Sequence, residues 1–342
     1  MWTHELPPQE SCVRAVCANR FFGSSRTLLC VGGAKLAVQF FLMNDGDPET
    51  CPVISELGKG LLPSKEAIDH RVNAVIASTL TTTDDKHSGV AADGVHVVFV
   101  GDSSGAVSYF LVNENEMETS SRTRPASLRG HHFTTLDRPV LTLDAVTIDD
   151  WKLFLVGTTA GDIRGYLLGP DRFSDVPVFT VQAHQVGTNA ISACLLDDTN
   201  NGDGRTVLVA SGGDDQSLNA LTVHIQPTKA HNENEQCVHI QHNCNVREAS
   251  ASAIKSVHAF SNGIVLSVGY NQRLGMWQLT NDGQLSFITS SAIDVADVNC
   301  LGSLRLDKHV DDSDSNASTA NGSFEAMAII GGEGAEFVKI AR

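Results

Sequence analysis

Long apolar runs are missing from this 342-residue chain, and helical periodicity is nearly absent. No stretch approaches the ~20 consecutive apolar residues that span a bilayer as a helix, so a membrane-spanning protein is not expected. The start, Met1-Trp2-Thr3-His4-Glu5-Leu6-Pro7-Pro8, has neither the basic segment nor the apolar run of a secretory leader. Cysteine is sparse too, eight residues spread without a dense framework, which argues against a disulfide-stapled secreted scaffold. A cytoplasmic protein with reduced, mostly buried thiols is the expectation. Asn316-Ala317-Ser318 and Asn321-Gly322-Ser323 fit the glycosylation acceptor pattern, but without a secretory route they read as a polar loop. Positive charge is also short: 24 Lys and Arg stand against 40 Asp and Glu, a net charge of −16. Such a surface repels phosphate backbones on average and disfavours strong direct nucleic-acid binding by the whole chain.

What is present is a repeat. The chain is 42% hydrophobic and 19% charged, enough apolar material for a sizeable core. An apolar, β-branched run ends in glycine, a tight turn follows, and a second alternating run ends in an aromatic or aliphatic residue. Six copies pair the runs 28–32 with 38–41, 97–101 with 107–110, 153–157 with 163–166, 207–212 with 218–221, 265–269 with 274–277, and 328–331 with 337–340. Their glycines, at 32, 101, 157, 212, 269 and 331, are spaced by 69, 56, 55, 57 and 62 residues. A further short apolar run precedes each copy, at 12–16, 72–76, 140–143, 190–194, 253–257 and 298–301. Each module is therefore a three-stranded meander. The linker that follows often holds a fourth strand, as in Ala126–Arg129 or Val178–Val181.

A four-stranded sheet of this size cannot bury both faces alone and leaves its edges open. Stacking such sheets radially buries face against face, which is the propeller solution. The expected fold is all-β, a β-propeller with six recognisable blades over residues 1–342, with a seven-bladed or incomplete ring as the alternative. Excess length sits in polar insertions such as Thr81 to Asp93 and the acidic loop 307–323, which carries Asp307, Asp311, Asp312 and Asp314. The segment Trp2 to Leu6 reads as an outer strand. Two readings of the ends stay open: this strand closes the ring on the last blade, or the chain is the C-terminal part of a larger multi-propeller protein.

Several stretches resemble the WD-repeat family. Gly130-His131 and Ala183-His184 stand where the family's Gly-His pair precedes the inner strand. The run Val268 to Trp277 resembles the family's turn, with Asn271 six residues before Trp277 in place of an acidic residue. Gly212-Gly213-Asp214-Asp215 keeps an Asp at 215, while Leu221 replaces the Trp; Lys35 and Ala160 occupy the Asp position in two other modules. The resemblance implies a buried hydrogen-bond network in which His131, His184, Asp215, Asn271 and Trp277 are the candidate members. The runs 184–189, 212–216 and 272–277 are similar to one subfamily in particular. That is the C-terminal propeller of the WD-repeat auxiliary subunit of the tRNA anticodon-loop (position 34) ribose 2′-O-methyltransferase. This resemblance covers roughly residues 130 to 280. It implies a non-catalytic scaffold whose partner protein, a tRNA 2′-O-methyltransferase, carries the chemistry, with tRNA contacted only through the complex.

Other constellations weigh less. The run Cys237-Val238-His239-Ile240-Gln241-His242-Asn243-Cys244 gathers soft-metal ligands, with His224 and His231 nearby. Strand alternation sends Cys237 and His239 to one face and His242 and Cys244 to the other, so they diverge from the tetrahedral geometry zinc needs. No metal site is expected. Gly213-Asp214-Asp215 lies in a turn whose composition backbone needs alone explain. No Gly-x-Ser-x-Gly turn and no phosphate-cradling glycine loop is present, so neither an enzyme nor a cofactor is expected. Arg122, Arg124, Arg129, His131, His132 and Arg138 form one locally basic stretch. It offers contacts to phosphate or an acidic partner, though a solvated outer strand explains it as well. The remaining alternatives are a WD-repeat adaptor in trafficking, ubiquitination or signalling, and an enzyme built on a propeller.

Overall fold

The computed structural model describes residues 13–20, 26–33, 37–44, 53–62, 70–80, 95–113, 126–169, 173–197, 204–226, 237–305 and 324–341. Strands are the only regular elements among them. The chain forms two compact units: residues 1–189 with 225–238, and residues 190–224 with 239–342.

In the first unit, β1 (Val13–Arg20), β2 (Arg26–Gly33), β3 (Ala37–Asn44) and β4 (Val53–Leu61) make an antiparallel meander. The next sheet is β5 (Val72–Leu80), β6 (Val95–Asp102), β7 (Ala106–Asn113) and β9 (His131–Thr135), with β8 (Ala126–Arg129) between β7 and β9 in sequence only. The third is β10 (Val140–Ile148), β11 (Trp151–Thr158), β12 (Asp162–Leu168) and β13 (Phe179–Gln182). A fourth sheet, assigned almost wholly to the second unit, joins β14 (Thr188–Leu195), β15 (Arg205–Gly213), β16 (Leu218–Ile225) and β17 (Val238–Val246). Then come β18 (Ile254–Ala259), β19 (Ile264–Gly269), β20 (Arg273–Leu279) and β21 (Leu285–Ala292), and finally β22 (Ala296–Arg305) with β23 (Glu325–Ala341). Six meander sheets, each a blade of propeller type, make this an all-β protein of the propeller class.

The second strands of the third and fifth blades, β11 and β19, are apolar on both faces because they are covered on both. In β11 and β19 every residue is buried. That double burial explains why these runs read as continuous hydrophobic stretches rather than alternating ones. Phe99, Phe133, Phe154 and Tyr166 form an aromatic core between the second and third blades, with Phe99 stacked on Phe154 at 4.1 Å. Phe40 meets Phe110 edge-on at 5.3 Å between the first and second.

Three expectations change. Ala126–Arg129 is a strand, but it pairs in parallel with β4 on the first blade; the fourth strand of the second blade is His131–Thr135. Gly130 separates the two strands, so one continuous stretch of chain edges two sheets. The sixth module's second and third runs fall in one 17-residue element, β23. That element folds back on itself. Lys339 Nζ lies 3.5 Å from Glu325 Oε2, whereas fourteen extended residues would span about 45 Å. Gly334, at φ +116, takes the left-handed backbone such a reversal needs. Finally, of the six described cysteines, all free, only Cys30 and Cys244 are buried. Cys17, Cys194 and Cys237 are half-buried because they sit on first strands or at a strand start, and Cys300 is exposed.

The insertion 81–93, the acidic loop 307–323 and the strand expected over 2–6 lie outside the described residues.

Candidate interaction site

The turns between the second and third strands share one device. Gly105, Gly161, Gln216 and Gln272 stand at equivalent places in four successive blades, all with positive φ. Each turns its carbonyl toward the chain that leaves the blade's outer strand. Gly105 O accepts from Leu136 N at 2.9 Å, Gly161 O from His184 N at 3.0 Å, Gln216 O from Ser250 N at 3.2 Å, and Gln272 O from Ile293 N at 3.0 Å. The left-handed conformation is what aims these carbonyls outward across the sheet. Glycine is required at 161 for a second reason. A Cβ there would sit 2.2 Å from His184 O and 2.3 Å from Val186 O.

Side chains brace the same turns. Asp102 accepts from Ser104 N at 2.8 Å, from the Ser104 hydroxyl at 2.5 Å and from Ala106 N at 3.1 Å. In the third blade Thr158 donates its hydroxyl to the buried Asp162, which also holds Arg164 Nε at 2.8 Å. Arg164 in turn reaches Asp137 at 2.8 Å, and that contact adds to Asp137's own backbone hydrogen bond in pulling its carboxyl below the usual range. Sequence reading missed Asp102, Thr158 and Asp162. The available signal was Asp102 and Thr158 closing the apolar runs of the second and third modules just before the turn.

Of the network candidates, His184 is buried between β13 and β14, with its carbonyl accepting from Gln182 Nε2 at 2.6 Å. Asp215 accepts from Ser217 N at 3.2 Å and the Ser217 hydroxyl at 2.7 Å. Trp277 Nε1 donates to Ser267 Oγ at 3.0 Å in the buried middle of the fifth blade. Asn271 takes no part in that bond; its backbone N–H donates to Ser252 Oγ at 2.8 Å, and its side-chain oxygen meets no donor among the described residues. His131 is placed otherwise than expected. It lies exposed on the outer strand β9, stacked on Tyr109 at 5.2 Å, because Gly130-His131 opens that strand instead of preceding an inner one.

The basic stretch is divided. Arg129 ends β8 on the first blade, His131 and His132 lie on β9, and Arg138 is in the turn before β10, all four exposed. Arg122 and Arg124 lie outside the described residues. His239 and His242 are exposed on β17 while Cys244 is buried, with Leu285 N 3.5 Å from its sulfur. Asp214 pairs with Lys255 at 3.1 Å.

A polar cleft of about 620 Å³ lies between the fourth and fifth blades, in the second unit. Asp197, Thr206 and Thr222 line one side, Gln241 and His242 another, and Ser261, Asn262 and Asn281 from the fifth blade's turns the third. Ser261 donates its hydroxyl to Asp197 Oδ2 at 2.9 Å, and Asp197 N donates to Ser261 O at 2.9 Å, tying the two blades together at the cleft. His242 is pressed against Gly283, where a Cβ would come within 2.2 Å of the imidazole.

These blades and their braced turns define a β-propeller protein. No protein-family model matches the chain, and no curated protein matches it.

Proposed function

We propose that this chain is a non-catalytic scaffold of WD-repeat type that binds a partner protein. Within that class we favour the cytoplasmic auxiliary subunit of a tRNA ribose 2′-O-methyltransferase. The observation that carries the WD-type reading is the bond from Trp277 Nε1 to the buried Ser267 hydroxyl at 3.0 Å. It links the second and third strands of a blade as the resemblance implies. Rigid blades with braced turns keep the ordering cost of binding low, which suits a docking platform. The net charge of −16 favours tRNA contact through the partner rather than by this chain.

Affinity purification of the full chain, with identification of what co-purifies, tests the reading. A methyltransferase should be recovered, and deletion should lower ribose methylation in the tRNA anticodon loop. Recovery of ligase or coat components alone, with methylation unchanged, would replace it with a trafficking or ubiquitination adaptor.

A further inference from the structure

We propose that Cys17 and Cys30 form a dithiol site that closes reversibly to a disulfide by exchange with a small disulfide of the glutathione class, pinning β1 to β2. This site goes beyond the scaffold function and does not depend on it.

Cys17 on β1 stands directly opposite Cys30 on β2, inside a register that runs unbroken from Ala15 opposite Gly32 to Arg20 opposite Thr27. Residues paired this way share one face of the sheet, with Cα atoms about 4.5–5.5 Å apart. A disulfide needs Cα atoms roughly 4.4–6.8 Å apart, so the ladder already meets that requirement. The sulfurs meet as well, since the Cys30 thiol hydrogen-bonds to Cys17. Both thiols are free. Cys30 is fully buried in the core between the first and second blades, and Cys17 is half-buried at its border. Among the described residues no other cysteine faces a cysteine across a ladder. Cys300 is opposite Gly331, and the strands paired with those of Cys194 and Cys244 contain none.

Unequal burial orders the chemistry. The accessible Cys17 sulfur gives its proton to water and attacks one sulfur of the small disulfide, expelling a glutathione thiolate that takes up a proton. Cys30 cannot meet the reagent, but the second step is internal and needs no access. Burial first, and then the contact with Cys17, hold the Cys30 thiol well above the usual pKa range, so it keeps its proton until that step. Its sulfur then attacks the Cys17 sulfur, and its proton passes to the second departing glutathione. Two protein thiols and one small disulfide become one protein disulfide and two small thiols, with two electrons moved to the glutathione.

The Cβ atoms of opposed residues lie about 4.5–5.5 Å apart, wider than the roughly 3.8 Å typical of a disulfide. The closed bond is therefore strained and easily reduced, as suits a reversible site rather than a permanent staple. β1 is the edge strand of its sheet, and β2 is its ladder partner among the described residues, so the bond reinforces the one ladder that holds it.

The full chain is reduced, equilibrated without denaturant at rising ratios of glutathione disulfide to glutathione, quenched with N-ethylmaleimide, digested with trypsin and weighed by mass spectrometry. The expected product joins peptide 15–20 to peptide 27–35, two hydrogens lighter than the separate thiols, and reopens in excess glutathione. Cys30→Ala should instead leave Cys17 carrying one glutathione, and Cys17→Ser should leave the buried Cys30 unmodified. The joined peptides are read on the unmodified chain, so the test does not depend on either variant folding. Amide exchange over β1 should slow about tenfold or more in the oxidised chain. Failure to form the joined peptides, their formation only in denaturant, or pairing of Cys17 with another cysteine overturns the proposal. A bond that excess glutathione does not reopen overturns its reversibility, and unchanged exchange over β1 overturns the pinning.

Discussion

The indole N–H of Trp277 and the hydroxyl of Ser267 meet at 3.0 Å across two paired strands, both residues buried, the only tryptophan among the network candidates in this role. The same ring packs edge-on to Phe287 at 5.0 Å, so the residue is held by a polar and an apolar contact at once. Ser267→Ala leaves the indole donor buried without an acceptor and should lower stability by about 1–3 kcal/mol. Trp277→Phe should cost more, since it adds a cavity to the same loss. A double-mutant cycle followed by thermal unfolding should find the two effects less than additive; strict additivity would show the bond contributes nothing.

The four equivalent turns make a prediction of opposite signs. Gly161→Ala puts a Cβ 2.2 Å from His184 O at φ +86 and should destabilise by more than about 1 kcal/mol. Gln216→Gly, at φ 65, relieves left-handed strain at a residue whose side chain is exposed, and should stabilise or be neutral. Gly302→Ala, where a Cβ meets nothing within 4 Å, serves as the control. Denaturant midpoints for the three variants check the order.

Burial sets a pH dependence in the first unit. Lys152, buried and donating to Thr147 Oγ1 at 2.8 Å, has its pKa lowered to about 8 by loss of water. His96, buried and accepting from Asn19 Nδ2 at 3.2 Å, is lowered to about 4, first by the same cause and then by the charge of Lys152. Both are bases whose protonated form is penalised in the folded state, so the unfolded chain binds more protons over each interval. Stability should therefore rise with pH from about 4 to 6.5 and again from about 8 to 10.5. Each interval is worth a few kcal/mol at most. Lys152→Met should raise the unfolding temperature near neutral pH and flatten the alkaline rise. A fall in stability over that upper interval in the unmodified chain, once other groups are subtracted, would contradict the assignment.

The ion pairs of Arg164 separate a buried partner from an exposed one. Asp137→Asn removes a carboxylate whose side chain is 73% exposed and should change stability by less than about 1 kcal/mol. Asp162→Ala strips the acceptor of both Thr158 and Arg164 inside the blade and should cost about 2 kcal/mol or more. Equal effects in thermal melts would show that burial does not govern this network.

The strands were legible in the chain because their causes are local. A run such as Leu153-Phe154-Leu155-Val156-Gly157, short and closed by glycine before a turn, reads as a strand buried on both faces, and β11 runs Trp151–Thr158 around it. The module spacing likewise placed the six blades. The turn device was half visible: glycine at 105 and 161 marks left-handed backbone, but Gln216 and Gln272 adopt the same conformation without announcing it, since the hydrogen bond that rewards it comes from chain 21 to 34 residues further on. Tertiary structure alone decided that Ala126–Arg129 leaves its own module for β4, because which edge a short strand covers depends on which edge is open. It also moved His131 from a network position to an outer strand. The cleft was invisible for the same reason. Asp197, His242 and Asn281 are spread over 85 residues, unremarkable singly, and only the packing of two blades sets a carboxylate, an imidazole and an amide around one space.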